Sequence, residues 1–415
     1  MINIKKEELQ DNMLTNIIEN DYIGTIVSEM GSGKSKAAID AIKKGGFNNI
    51  LITSPRTNLK DNWQNELNKW YFTSLDFAHD NSNFTLENIQ TCYKWEQDKI
   101  RQFDLIVADE IHLIVTPEYG RLLRVAAEND IKRIGLTGTA DLKEPEKVEF
   151  YDKYCPIIFQ YENAANDGLI NQRKYIICEY NLTDNYKVLA GSKKNPFWIG
   201  EKSQYDYLTE QLKKGQILMT KTGSEDWFED AANWFWKGKG DKEQKNAGRI
   251  YLQAIKHRKD FLWNLTSSAE IAKSFKNKIL SNPDNKVLLF SERNKQAEKL
   301  SEYTVHSNNS EEHNKQTLFA FDNGKIRELS SCNSLTLGLN IEGANWAIME
   351  SYNSSDVLFK QKSGRTNRLN INDIANIMFI VPLETQAEKW FNKATKGLLD
   401  PSNTIRLESI NNLKV

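Results

Sequence analysis

Short apolar runs alternate with amphipathic ones in two separate series, which predicts an α/β protein of two parallel-sheet domains in tandem with a helical insertion between them. Three observations carry the prediction: strand-and-helix alternation over residues 22–140, a second series from about 266, and an intervening stretch rich in Trp, Tyr and Lys at helical spacing. In the first series "YIGTIV" is a strand, 34–44 a helix ended by Gly45-Gly46, "NILITS" a strand stopped by Pro55, and 57–71 a helix. "FDLIVADE" follows as a buried strand, "EYGRLLRVAAEN" as a helix and "IKRIGLTG" as a strand. The alternation stops near 150–160. "RKYIICEYNL" reads as a strand that joins the second sheet. That sheet continues with helix "AEIAKSFKNKIL", strand "KVLLFS", helix "NKQAEKLSEY", strands "IRELSS" and "WAIMES", a helix around "TQAEKWFNKATKG" and a polar tail. The expected division is a first domain at 1–158, a connection at 159–182, an aromatic-rich helical insertion at 183–262 and a second domain at 263–415.

Bulk composition fits this plan. A chain of 415 residues is too long for one ordinary core. Charges nearly cancel, 55 Lys and Arg against 56 Asp and Glu, so any contact with a polyanion needs a local basic surface. The four cysteines, Cys92, Cys155, Cys178 and Cys332, form no C-x-x-C pair, which argues for reduced thiols rather than a zinc ribbon or disulfide framework. No run of 18 apolar residues occurs and "MINIKKEELQDN" lacks a signal-peptide core, so a cytoplasmic protein without a membrane partner is expected. His306 and His313, in "VHSNNSEEH", are expected in a solvated loop.

The chemistry concentrates at strand ends. "SEMGSGKS" joins the first strand to its helix: Gly31 and Gly33 let backbone N–H groups approach an anion, Lys34 supplies charge and Ser35 a hydroxyl for Mg²⁺. The helix beginning there adds its positive end. The P-loop pattern opens with Gly where this chain has Ser28, a departure that keeps a small residue. "IVADEIH" places Asp109 and Glu110 at the C-terminal end of a buried strand, where Asp109 can hold Mg²⁺ opposite Ser35 and Glu110 can deprotonate water. Arg365 and Arg368, three apart, share a helix face and can converge on one anion.

Taken together, these stretches resemble the motifs of superfamily 2 helicases and translocases, in order and across both domains. "SEMGSGKS" is similar to motif I, "LITSPRTNLKDNWQNEL" to motif Ia with Arg56 at its phosphate contact, and "IQTCYKW" to the motif after it with Thr91. "VADEIH" resembles a DExH motif II, "GLTGTA" motif III, "VLLFSE" motif IV, "SLTLGLNIEGAN" motif V and "QKSGRTNR" motif VI. The resemblance implies two RecA-like domains, ATP and Mg²⁺ as cofactors, and movement along nucleic acid, DNA rather than RNA. It implies a nucleotide cradle of Met30, Gly31, Ser32, Gly33, Lys34 and Ser35, with Gln10 as a candidate adenine contact that could equally be a surface helical residue. Gln361, Arg365 and Arg368 would approach ATP from the second domain. His112, Thr137, Gly138, Thr139 and Gly338 would couple the sites, while Arg56, Thr91, Ser291 and Thr336 would grip the nucleic-acid backbone, loop capping being the other reading of the hydroxyl residues. Asn340 stands where many helicases have Asp, and Lys362 where Arg is frequent. Two further readings stay open: an RNA helicase or RNA-stimulated ATPase, and a nucleotide-gated motor subunit or switch of a larger complex. In the insertion, Trp227, Phe228, Ala231, Trp234 and Phe235 recur at helical intervals and read as a core face in preference to a base-stacking platform.

Overall fold

The structure, a computed structural model, describes the chain except residues 1–3, 56–57, 73–82, 141, 143, 162–166, 170, 192–193, 333–342, 355–372, 397–398, 400, 408–411 and 414–415. The first unit runs α1 (Ile4–Glu19), β1 (Ile23–Ser28), α2 (Lys34–Gly45), β2 (Asn49–Ser54), α3 (Asn58–Trp70), β3 (Asn83–Asn88), the short α4 (Ile89–Cys92) and α5 (Gln97–Ile100), β4 (Leu105–Asp109), α6 (Arg121–Glu128), β5 (Lys132–Thr137), α7 (Pro145–Tyr154) and β6 (Ile157–Tyr161). Its strands lie in the order β3-β2-β4-β5-β1-β6, every pair parallel. Both faces are covered over the inner strands, so β2 and β4 read as near-continuous apolar runs, whereas edge strand β3 alternates polar with apolar residues. In β4, Leu105 and Val107 enter the core beneath α1 and α2, while Ile106 and Ala108 enter the core on the other face with Leu122 and Leu123 of α6.

The second unit begins before the insertion. β7 (Arg173–Asn181) pairs in parallel with β14 (Ala375–Leu383) along its whole length, from Arg173 opposite Ala375 to Asn181 opposite Leu383. The other strands are β10 (Val287–Ser291), β11 (Thr304–Val305), β12 (Glu328–Cys332), β13 (Trp346–Met349) and β15 (Thr404–Leu407), giving an all-parallel order β11-β12-β10-β13-β14-β7-β15. α11 (Thr266–Leu280), α12 (Asn294–Leu300), α13 (Glu311–Asp322) and α14 (Gln386–Ala394) accompany it. The two parallel sheets and the strand reading of "RKYIICEYNL" agree with the sequence. The polar tail does not: "TIRL" extends the sheet at β7, its Ile405 opposite Ile176 and its Leu407 buried. His306 also departs from the expected solvated loop. It follows β11 and is buried, with Nε2 3.2 Å from Glu298 Oε1, whereas His313 is exposed on α13.

The insertion is not wholly helical. It opens with an antiparallel hairpin, β8 (Lys187–Gly191) and β9 (Pro196–Gly200), turned at Gly191, whose φ of 89° suits glycine and where a Cβ would meet Asn195 O at 2.4 Å. An arm follows: α8 (Glu201–Lys221), α9 (Trp227–Ala231), a π-helical turn at Ala232–Trp236 and α10 (Lys242–Leu262). α8 and α10 pack closely, a Cβ at Gly215 lying 3.0 Å from Tyr251 Cα, and α9 sits on α10 at Gly248. The expected aromatic core face is only partly formed: Trp227 and Phe228 are exposed before the π turn, and within it the wider winding leaves Trp234 inward and Phe235 outward. Ala231 is buried and Trp234 packs on the arm's core, but Phe228 and Phe235 are exposed and Trp227 only borders Tyr251.

Candidate active site

Parallel strands deliver their following loops to one edge of a sheet, and in the first sheet that edge collects three of the sequence motifs. β1 ends at Ser28, β4 at Asp109 and β5 at Thr137, with Val27 opposite Thr137 and Asp109 opposite Leu136. The loop after β1 turns through Gly31 and Gly33, both at positive φ (86° and 99°), before α2 starts at Lys34. The Gln10 side chain lies close against Gly33, where a Cβ would sit 2.1 Å from Gln10 Nε2. Gln10 is thus buried under the loop, its amide 3.5 Å from Ser32 O, and is not a surface helical residue. Gly138 of the loop after β5 approaches the same turn, its Cβ position 3.8 Å from Ser28 O and 3.9 Å from Met30 Cγ.

Burial sets the electrostatics. The Lys34 ammonium donates to Ser28 O at 2.6 Å and Glu29 O at 3.1 Å. Desolvation lowers its pKa, and Glu110, Asp109 and Glu29 oppose that shift. The Asp109 carboxyl is pushed up to about 6, first by desolvation and then by neighbouring Glu110, against the pull of Trp63 and Lys34. Its two oxygens accept from Trp63 Nε1 at 2.9 Å and Glu110 N at 3.0 Å. Glu110 adopts a left-handed backbone, φ 51° and ψ 46°, a conformation costly for a residue with a Cβ and characteristic of functional loops.

A buried relay runs from there. His112 Nδ1 is 2.8 Å from Thr137 Oγ1 and 3.5 Å from Glu110 Oε2. Thr137 Oγ1 donates its one proton to Thr139 O at 2.9 Å and accepts from Thr139 N at 3.2 Å. His112 Nδ1 must therefore carry the hydrogen toward Thr137, which fixes the tautomer. ATP with Mg²⁺ fits this donor set: a turn that presents backbone N–H groups, one lysine, an acidic pair, and two buried hydroxyls in the turn, Ser28 Oγ and Ser32 Oγ, with no hydrogen-bond partner among the described residues. Ser35 lies in the first turn of α2, on the same side as the loop.

Other predicted residues fall differently. Thr91 is exposed on α4, next to the end of β3. Ser291 is fully buried at the end of β10 and its hydroxyl donates to Arg293 O at 3.0 Å, so it caps its own loop and offers nothing to a backbone outside. Arg56, Thr336, Gly338, Asn340, Gln361, Lys362, Arg365 and Arg368 lie outside the described residues. Two contributors escaped sequence reading. Trp63 sits at an apolar position of amphipathic α3 and looks like core until its indole is seen on Asp109. Glu29 pairs with Arg173 of β7 at 3.2 Å, tying the loop after β1 to the second sheet, and only the long-range fold brings these residues together.

Comparison with known proteins agrees with this geometry. The family model described as "Type III restriction enzyme, res subunit" matches residues 3–142, and "Helicase conserved C-terminal domain" matches 270–370. The Escherichia phage T5 protein described as "Probable helicase D10" is 27% identical over 146 residues, 34% of this chain and 32% of that protein, so the chain matches about a third of its relative's length. Two solved structures share the fold. Mycobacterium smegmatis helicase Lhr, solved bound to ssDNA and AMP-PNP, superposes over 94% of this chain and 48% of its own with TM-score 0.54 and 13% identity. The Pyrococcus furiosus Hef helicase domain does so over 94% and 97% with TM-score 0.52 and 14% identity. Two helicase-type domains in sequence order, each on its own parallel sheet, place the chain in helicase superfamily 2.

Proposed function

We propose that this chain is an ATP-dependent DNA motor, hydrolysing ATP at the edge of the first sheet to move along nucleic acid. The observation that carries the reading is the half-buried grouping of Lys34 with Asp109 and Glu110 at one sheet edge, Lys34 and Asp109 being held there against their desolvation. Such burial is costly unless the groups serve a ligand of matching charge. In this reading Lys34 and the turn N–H groups bind the phosphates, Ser35 and Asp109 hold the metal, and Glu110 orients and deprotonates the attacking water. Mg²⁺, when bound, neutralises charge that develops on the transferring phosphoryl group. Gln10, whose amide lies against the loop at Ser32, is the proposed contact to the base. Gln361, Arg365 and Arg368 supply positive charge from the second domain, and His112 with Thr137 and Thr139 passes the state of Glu110 to the loop after β5. Arg56, Thr91 and Thr336 are the proposed backbone contacts, which makes binding sequence-independent and weaker in salt.

DNA is preferred because the Lhr fold-mate was solved with ssDNA. A second reading, the motor subunit of a larger assembly, is favoured by the match to the restriction-enzyme subunit family. Steady-state ATPase measured on the purified chain with duplex DNA, single-stranded DNA and RNA at two salt concentrations tests both. Stimulation by DNA above RNA, reduced by salt, is expected. Greater stimulation by RNA would move the substrate, and no turnover with any of them would favour the subunit reading.

A further inference from the structure

The arm carries two exposed features that the nucleotide site does not use. Along the solvent side of α10, Lys242, Lys245, Arg249 and Lys256 recur at spacings of three, four and seven and are all exposed. Twenty-one helical residues extend about 30 Å, the length of several nucleotides. Arg249 is steadied by neutral partners, Asn246 Oδ1 at 2.9 Å and Gln253 Oε1 at 3.3 Å, which leave its charge uncompensated. Among the described residues none of these four cations has a carboxylate within ion-pairing distance, and the two exposed acids of α8 are taken by its own lysines, Asp206 by Lys202 and Glu210 by Lys213.

At the arm's tip, Trp236 is 64% exposed and Phe228 55%, their rings edge to face at 6.5 Å. Two of the tip's carboxylates serve its own backbone. Asp226 accepts from Phe228 N and Glu229 N, and Asp230 accepts from Ser224 Oγ, Glu225 N and Asp226 N. Exposed Lys237 and Lys239 follow Trp236 directly. Cations spaced along a helix, with exposed indole and phenyl rings in the segment that precedes it, match a polyanion whose bases are free to stack.

The root of the arm is fastened to the second unit. Buried Glu201 Oε1 accepts from Thr266 N at 2.6 Å and Ser267 N at 3.2 Å, capping α11. Gln386 N donates to Tyr205 Oη, Asp260 pairs with Arg293, and Trp263 Nε1 donates to Tyr352 O at 3.0 Å. Whatever the arm holds therefore moves with the second sheet.

We propose that the arm is an accessory site for single-stranded nucleic acid, its phosphates following the cationic side of α10 and an unpaired base stacking on Trp236 beside Phe228. The inference rests on the reading of the chain as a nucleic-acid motor. Its test uses the full chain and labelled 20-nucleotide single-stranded DNA, single-stranded RNA and duplex DNA. The double variant Trp236→Ala with Phe228→Ala is expected to weaken single-strand binding at least about fivefold, leave duplex binding and the salt slope unchanged, and retain basal ATPase. Trp236→Phe with Phe228 intact should bind within about twofold of the parent. Replacing Lys245, Arg249 and Lys256 by Ala should reduce the slope of log affinity against log salt for single strands by about 2. DNA and RNA arms decide which strand is preferred; a loss in either supports the site. Unchanged single-strand affinity and slope in both variant sets, while the parent is still stimulated by nucleic acid, would overturn the accessory site and leave the motor standing. Equal loss on duplex and single strand would overturn the stacking. A parent that neither binds nor is stimulated by any of the three would remove the motor reading and the accessory site with it.

Discussion

At the C-terminal edge of the first sheet, half-buried ionisable groups come together from different strand ends: Lys34, Asp109 and Glu110. At the same edge of the second sheet, the hydrogen bonds among the described residues run mainly between neighbouring polar groups. Ser291 donates to Arg293 O, Glu292 N donates to Ser351 Oγ at 2.9 Å, and Gln296 Nε2 bridges Leu265 O and Glu350 Oε1 at 2.7 and 2.9 Å. The same scaffold thus serves two tasks. One edge keeps charge exposed to a ligand at a desolvation cost, and the other uses hydrogen bonds to fix the connection that leads back to the arm.

The contrast would break most completely if the second domain also delivered charge to the ligand. Arg365 and Arg368 fall in sequence between β13 and β14. Under the proposed function, Arg365→Ala or Arg368→Ala lowers kcat by about 10³-fold with little change in ATP affinity, measured by steady-state turnover and nucleotide binding. Unchanged turnover in both would confine the chemistry to the first sheet.

A smaller effect sharpens the claim that the second edge avoids charge. The Glu350 carboxyl is pushed up to about 7 from 4.5, chiefly by burial and against the Gln296 hydrogen bond. A carboxyl raised on folding binds its proton more tightly in the native state, so its ionisation removes stability as pH rises from about 4.5 to about 7. Glu350→Gln should therefore gain stability over the parent at pH 8, by up to about 3 kcal/mol, and show no gain near pH 4.5. Urea midpoints at the two pH values measure it, and an equal difference at both would show that Glu350 is charged throughout.

The smallest expected change belongs to the first edge. Trp63→Phe removes a hydrogen bond that favours ionised Asp109, whose carboxyl titrates at about 6. Losing it raises that pKa, so the acid limb of kcat/KM for ATP moves to higher pH, by under about one pH unit. A limb that stays in place would mean that the indole only packs.

Much of the first edge was legible because its chemistry is local. "SEMGSGKS" and "VADEIH" each put their candidate residues within a few positions of a strand end, and apolar runs located those strands. Gln10 illustrates the limit: its helix was visible, but only the approach of α1 to Gly33 makes it part of the site. Trp63 and the Glu29–Arg173 pair were hidden for the same reason, being contacts between distant segments. The arm misled in another way. Helical spacing over 227–235 assumed 3.6 residues per turn, and a π turn breaks that assumption without any compositional mark. "TIRL" went unread because four residues with one arginine look like tail until β7 offers an open edge.

Nucleotide binding and turnover measured side by side in Lys34→Ala and Glu110→Gln test the proposed roles at the first edge most directly. The predicted result is a split: Lys34→Ala loses nucleotide binding, while Glu110→Gln binds ATP like the parent and hydrolyses it at least about 100-fold more slowly. Equal loss of binding in both, or full turnover in Glu110→Gln, would contradict the assignment of phosphate binding and water activation to the two sides of this edge.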